Sequence, residues 1–206
     1  MTPDQTDGYT FRMDESANKT GMEEVFPAFA AEVKAYVNES LPLHNPEEYT
    51  GFINGLTAII VSHGKELTVP NPVFAEQMKT LDDEEVNFVV PAWGGVAFTH
   101  VDVPRHKRQK YLVVRQSESK VGTLGPEFHK LKDEYGEMIE GHAILISSDP
   151  ADWERGIVHV TFISPGDKFI AHPGNRHAII AATNMVIEEK ANNSIKSDIY
   201  AASPLA

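Results

Sequence analysis

Cysteine is absent from the 206-residue chain, so disulfides and thiolate metal sites are both excluded. Any metal ion held here must use histidine nitrogen and carboxylate oxygen, with water completing its coordination. Apolar runs long enough to span a membrane are also missing, and the opening stretch MTPDQTDGYTFRMDESANKTG has no hydrophobic signal core. The sequence therefore predicts a cytoplasmic protein with no membrane partner. Positive charge is scarce: 18 Lys and Arg stand against 30 Asp and Glu, a formal charge of −12. Such a surface repels polyanions and argues against nucleic acid as a partner. One stretch departs from this, RHKRQK at Arg105 to Lys110. It reads either as a solvated hairpin turn or as a contact for phosphate or another anion. Internal repeats and low-complexity segments are lacking as well.

What is present divides into three parts. Residues 1–21 are polar and without periodicity, and read as a loose tail. Residues 22–84 read as a helical segment. In it Phe26, Phe29, Ala30, Val33, Tyr36 and Val37 recur at helical spacing, and Pro27 fits only in a first turn. Asn45-Pro46-Glu47-Glu48 then offers a cap, a proline at the first helical position and a glutamate three after the cap. Tyr49, Phe52, Ile53 and Leu56 continue that second helix, and Asn71-Pro72 repeats the cap signal. From 85 to 206 the pattern becomes short β-rich runs: Val86 to Val90, Val96 to Val103, Tyr111 to Arg115, Tyr135 to Ile146, Ile157 to Ile163 and Ala178 to Glu188. Gly94-Gly95, Ser117 to Gly122, Ser148 to Asp152 and Pro165-Gly166-Asp167 supply turns between them. Strands at near-even spacing without intervening helices predict an all-β sandwich or barrel.

Two stretches concentrate residues with chemistry. The first runs from Gly125 through Glu127, His129, Lys132 and Glu134 to Gly141. The second runs from Pro165 through Gly166, His172, Pro173 and Gly174 to His177. Together they resemble the two motifs of the cupin superfamily, G-x5-H-x-H-x3-4-E-x6-G and G-x5-P-x-G-x2-H-x3-N. His129, Glu134 and Gly141 fall on the first pattern, and Gly166, Gly174 and His177 on the second. Glu127 stands where the family has its first histidine, proline is displaced to Pro173, and Ala181 replaces the asparagine. The resemblance implies a cupin-type antiparallel β-barrel (jelly roll) with an N-terminal helical segment. It further implies one divalent transition metal ion, Fe, Mn, Ni or Zn, on His129, Glu134 and His177. Glu127 is either a fourth ligand, a residue behind the ligands or a substrate-facing base. Residues two apart on a strand share a face, so Glu127 and His129 can both face a barrel interior. Glu134 opens the next strand and can return to that side, and the Pro-Gly turn would present His177 from across the barrel. The plain alternative for each histidine is a surface or satisfied structural role. That is the reading for His100, His106, His142 and His159, as packing is for Trp93 and Trp153.

Two shorter likenesses point to sugar chemistry. Thr123-Leu124-Gly125 ahead of Glu127-Phe128-His129 is similar to archaeal-type glucose-6-phosphate isomerase. The run His129 to Glu134, with Lys132 inside it, is similar to the cupin D-lyxose isomerases, as is the Ser197 to Tyr200 ending. These likenesses imply a metal-dependent aldose–ketose isomerase acting on a sugar or sugar phosphate. Glu127 would move the proton, and Lys132 would meet a sugar hydroxyl or the developing oxyanion, unless it is a solvent-exposed loop lysine. His172 would line the site, while Arg105 and Lys107 of the basic turn would meet a sugar phosphate. Two His and one carboxylate also serve non-haem Fe(II) oxygenases, so a cupin dioxygenase is the competing expectation. A non-catalytic cupin that binds a small acid or sugar is a third. Pairing through strand edges would make the molecule a homodimer.

Overall fold

Pro27 and Pro46 each stand at a first helical position, where a missing N–H is harmless and a fixed φ is already helical. The computed structural model describes residues 21–67, 87–89, 94–99, 108–114, 121–191 and 200–201. Arg105, Lys107, Asn71-Pro72, Trp93, His100, His106 and Ser197 to Ile199 lie outside these residues, as does the tail before Gly21. The helices are α1 (Met22–Val25), α2 (Pro27–Ser40), α3 (Pro46–Ser62) and α4 (Gly64–Leu67). Asn45 caps α3, its side chain accepting from the Glu48 N–H at 2.9 Å. Glu48 reaches back to accept from the His44 N–H at 2.5 Å, one residue ahead of the backbone N–H that the box pattern predicts, and from Asn45 Nδ2 at 2.8 Å. Tyr36 of α2 stacks on Phe52 of α3 with ring centroids 5.5 Å apart. Gly55 permits this approach, since a Cβ there would lie 2.0 Å from the tyrosine hydroxyl.

The strands are β1 (Asn87–Val89), β2 (Gly94–Thr99), β3 (Arg108–Val114), β4 (Thr123–Phe128), β5 (Glu134–Glu140), β6 (Ala143–Ser148), β7 (His159–Ile163), β8 (Lys168–Ala171), β9 (Arg176–Ala181), β10 (Met185–Ala191) and β11 (Tyr200–Ala201). They form two antiparallel sheets, β1-β2-β3-β10-β5-β8 and β11-β4-β9-β6-β7. The all-β expectation holds in these two sheets, and the described pairings stay within each sheet. Where the sequence predicts a turn over Ser148 to Asp152, a one-turn helix, α5 (Pro150–Glu154), forms instead. Asp149 nucleates it by accepting from the Asp152 N–H at 2.8 Å.

Two expected strands each prove to be two. The run Tyr135 to Ile146 breaks at Gly141, which takes φ +82°. The run Ala178 to Glu188 breaks at Thr183-Asn184. Both breaks are crossings from one sheet to the other, and they touch: the His142 N–H donates to Thr183 Oγ1 at 2.9 Å. A Cβ at Gly141 would lie 2.0 Å from the Asn184 carbonyl oxygen. Periodicity misses these breaks because each is only two or three residues long, Gly141-His142 and Ala182-Thr183-Asn184, with β-rich runs resuming at once on either side.

β6 is buried along its whole length. Ala143 and Leu145 pack with Met138, Ile163, Ile179, Ala181, Met185 and Ile187 between the sheets. Ile144 and Ile146 turn the other way and join Phe29, Val33, Phe52, Leu56 and Ile60 of the helices. The helical segment therefore forms a third layer on the outer face of the β4-β9-β6-β7 sheet. Truncating Leu56, which is fully buried, to Ala should destabilise the whole protein by about 2–5 kcal/mol in chemical unfolding. Loss of helix alone, with the sheet transition unmoved, would show that the layers do not share a core.

His63 ties the helices by charge. Its Nδ1 lies 2.9 Å from Glu66 and its Nε2 2.8 Å from Glu32 of α2. The hydrogen bonds to Glu66 and then Glu32 raise its pKa against a smaller opposing effect of burial. A raised folded pKa gives stability that is complete below the unfolded value and is lost as pH rises through the folded one. The difference in Tm between wild type and His63→Gln should thus be larger at about pH 5.5 than at about pH 8.5. A pH-independent difference would show that His63 acts by packing alone.

Candidate metal centre

The register of β4 against β9 builds the centre. Thr123 and Leu124 pair with Ile180 and Ile179, then a bulge shifts the register so that Glu127 pairs with His177. Gly125 makes the bulge possible: its φ is +76°, and a Cβ would come within 2.7 Å of the His177 carbonyl oxygen. Directly paired residues share a face, so Glu127 and His177 project together between the sheets. His129, two residues beyond Glu127, follows onto that side, and the Gly174 N–H donates to its carbonyl at 2.5 Å. That bond draws the loop of the second motif onto the first.

Glu134 arrives from the opposite sheet, at the start of β5, on the buried side of that strand with Gly136 and Met138. The crossing is therefore distributed differently from the sequence expectation. His177 is the lateral neighbour of Glu127, and Glu134 is the residue that reaches across. The reason is that the chain changes sheets between β4 and β5, while β9 returns beside β4.

One ligand atom from each of Glu127, His129, Glu134 and His177 lies within 4.8 Å of all the others. His129 Nε2 is 3.3 Å from Glu134 Oε2 and 3.7 Å from Glu127 Oε1. His177 Nε2 is 3.7 Å from Glu127 Oε1 and 3.9 Å from Glu134 Oε1. These spacings match donors arranged around a common centre roughly 2.1 Å from each. His129 and Glu134 are almost wholly buried, whereas the Glu127 side chain is 24% exposed and marks the open side. The His177 Nδ1–H donates to the Asn175 carbonyl at 3.3 Å, which leaves the Nε2 lone pair facing the cluster. That Nε2 is buried and has no hydrogen-bond partner among the described residues, which suits a metal-ligating nitrogen. Two imidazoles and two carboxylates, without sulfur, are a donor set for Fe(II), Mn(II), Ni(II) or Zn(II).

Electrostatics in the cluster are mutual. Burial disfavours charge on His177, but the carboxylates of Glu127 and Glu134 outweigh it and raise the pKa. Burial likewise pushes Glu127 up, yet His177 and His129 prevail and hold its carboxyl below the ordinary range. Lys132 is buried rather than solvent-exposed, and its ammonium donates to Glu134 Oε2. His172 follows β8 with its side chain half exposed and its Nδ1 2.7 Å from Asp133 Oδ1, on the loop that carries Lys132. His142 and His159 lie away from the cluster, bonded to Ser164 and Asp152 respectively.

Two contributors escape a sequence reading. Asn175 acts through its backbone carbonyl, which no residue type announces. Ser147 ends the apolar run of β6 and pairs with His177, so it shares the inward face. Its buried Oγ has no hydrogen-bond partner among the described residues.

No family model and no curated protein matches the sequence. Among solved structures, the chain is similar to the capsular polysaccharide assembling protein CapF from Staphylococcus aureus, at 14% identity and TM-score 0.50 over 72% of this chain and 45% of that one. CapF with the inhibitor 3-isopropenyl-tropolone gives the same TM-score of 0.50 at 14% identity, covering 72% and 47%. An R92A mutant of Bacillus subtilis oxalate decarboxylase superposes at TM-score 0.48 and 16% identity, covering 59% and 31%. The chain thus spans less than half the length of these structures. CapF is a cupin-fold protein, and the likeness to it extends to the fold alone: this chain has two antiparallel sheets of cupin kind, with a possible metal site among the described residues.

Proposed function

We propose that the protein is a metal-dependent cupin enzyme, and within that class an aldose–ketose isomerase acting on a sugar or sugar phosphate. The convergence of Glu127, His129, Glu134 and His177 from two sheets onto one buried point carries this reading. His129, Glu134 and His177 would hold the ion, which when bound supplies Lewis-acid polarisation of a substrate carbonyl. The chain's own residues supply the remainder. Glu127 is the most exposed of the four and is held ionised, so it serves as the base at the open side. It takes the C2 proton of the aldose and returns it to C1, while the hydroxyl proton passes from O2 to O1. Lys132, fixed against Glu134, donates to the oxygen on which negative charge develops. Ser147 Oγ, His172 and the basic pair Arg105 and Lys107 are assigned to substrate hydroxyls and to a phosphate. The shallow likeness of ligand sets leaves a dioxygenase as the competing outcome, and the two differ in their need for O₂.

Protein purified without chelator should contain about one equivalent of a divalent transition metal per chain, and His177→Ala should contain almost none. Turnover of an aldose without oxygen consumption, under strictly anaerobic conditions, is the expected activity. Oxygen uptake tied to substrate loss would replace the isomerase by the dioxygenase, and failure to take up any such metal would remove both.

Glu127→Gln should keep its metal and lose about 10²–10⁴ in kcat. Lys132→Met should also keep its metal and lose kcat more than KM. Metal lost together with activity in Glu127→Gln would make Glu127 a ligand instead of the base. Full metal and full turnover in that variant would sink both roles.

A further inference from the structure

Arg176 precedes His177 on β9, so the two side chains leave opposite faces of the strand. His177 enters the metal cluster, and Arg176 emerges on the helical side. There its guanidinium lies 4.4 Å from the Trp153 ring centroid and 5.3 Å from that of Phe128. Trp153 is itself held edge-on by Tyr49 at 4.9 Å. Two rings therefore fix the cation before any ligand arrives, which lowers the entropy lost on binding.

Arg176 lines a cleft of about 370 Å³ together with Leu43, His44, Trp153, Arg155 and Val158. Small-molecule sites begin at roughly this size. One wall forms where Leu43 meets Gly156. The Leu43 N–H donates to the Gly156 carbonyl at 2.9 Å. Gly156 has φ +72°, and a Cβ on it would lie 1.8 Å from the Leu43 carbonyl oxygen. Leu43 and Val158 are buried and give the cleft an apolar floor.

Charge points to the ligand. In a molecule with formal charge −12, Arg176 makes no ion pair among the described residues. Its Nε is buried and has no hydrogen-bond partner among the described residues. Desolvating such a group is unfavourable until an anion meets it, and a guanidinium meets carboxylate or phosphate through paired donors. Arg155 adds a second guanidinium at the rim, shared with Asp152 at 3.3 Å, and the exposed Glu154 carboxylate also lines the cleft. We propose that this cleft binds a small organic anion, its carboxylate or phosphate taken by Arg176 and its apolar body resting on Leu43, Val158 and Trp153. The site stands on the face of β9 away from the metal cluster, and does not depend on the isomerase reading.

Isotope-labelled full-length protein, titrated at constant ionic strength with inorganic phosphate, benzoate and phenyl phosphate, tests it by NMR. Saturable shifts are expected at the Trp153 indole N–H and at the Arg155 and Gly156 amides. Tighter binding of benzoate than of phosphate would assign a carboxylate head, and tighter phenyl phosphate a phosphate head. Arg176→Gln should weaken the best probe at least about tenfold. Arg176→Lys, which keeps the charge without the fork, should fall between the two. Should Arg176→Gln not fold, shift mapping on wild type and the Arg176→Lys titration decide the matter. No saturable shift at these positions below about 50 mM of any probe, or undiminished affinity in the Arg176 variants, would overturn the site.

Discussion

β9 is the strand on which the rest of the molecule depends, because it is buried on both faces and carries chemistry on each. Its inward positions are His177, Ile179 and Ala181, facing the second sheet. Its outward positions are Arg176, Ala178 and Ile180, facing the helices. A slip of one residue against β4 or β6 would send both apolar sets and both polar groups to the wrong side. The Gly125 bulge and the paired crossings at Gly141 and Asn184 hold that register. The metal cluster and the Arg176 cleft are two consequences of one strand alignment.

Inside the cluster the physical problem is charge in a dry place. Two carboxylates so close together would repel each other, and neither could be buried ionised alone. The structure answers with two imidazoles between them and with Lys132 against Glu134. A divalent cation meets the same requirement with greater charge and at a point reached by all four donors. The asymmetry of the four is also informative. His129, Glu134 and His177 are closed off, whereas Glu127 borders the opening, and the proposed function divides metal binding from proton transfer along that line.

The helical layer bears on the site indirectly. By covering Ile144, Ile146, Ala178 and Ile180 it lets β6 and β9 be apolar on both faces, and so lets the inner face be shaped around the cluster instead of around stability. Its loop at Leu43 also closes against Gly156, which creates the cleft on the outer side. The helical layer thereby covers the outer face of the sheet behind the cluster and supplies one wall of the Arg176 cleft.

The sequence by itself determined the local features. Absence of cysteine left only imidazole and carboxylate as ligands. Pro27, Asn45 and Glu48 placed the helix starts, since capping is settled within a few residues. The resemblance of two stretches to the cupin motifs singled out His129, Glu134 and His177 and implied the kind of fold, while strand patterning alone reached only a sandwich or barrel. What only the tertiary structure decided is everything that compares one strand with another. Periodicity cannot show that Tyr135 to Ile146 changes sheets at Gly141, nor that His177 lies beside Glu127 while Glu134 reaches across. The burial of Lys132, the inward turn of Ser147 and the packing of Arg176 on Trp153 belong to the same class. Each depends on which segments pack together, and a linear pattern records a residue's neighbours along the chain, whereas burial and charge pairing are set by its neighbours in space.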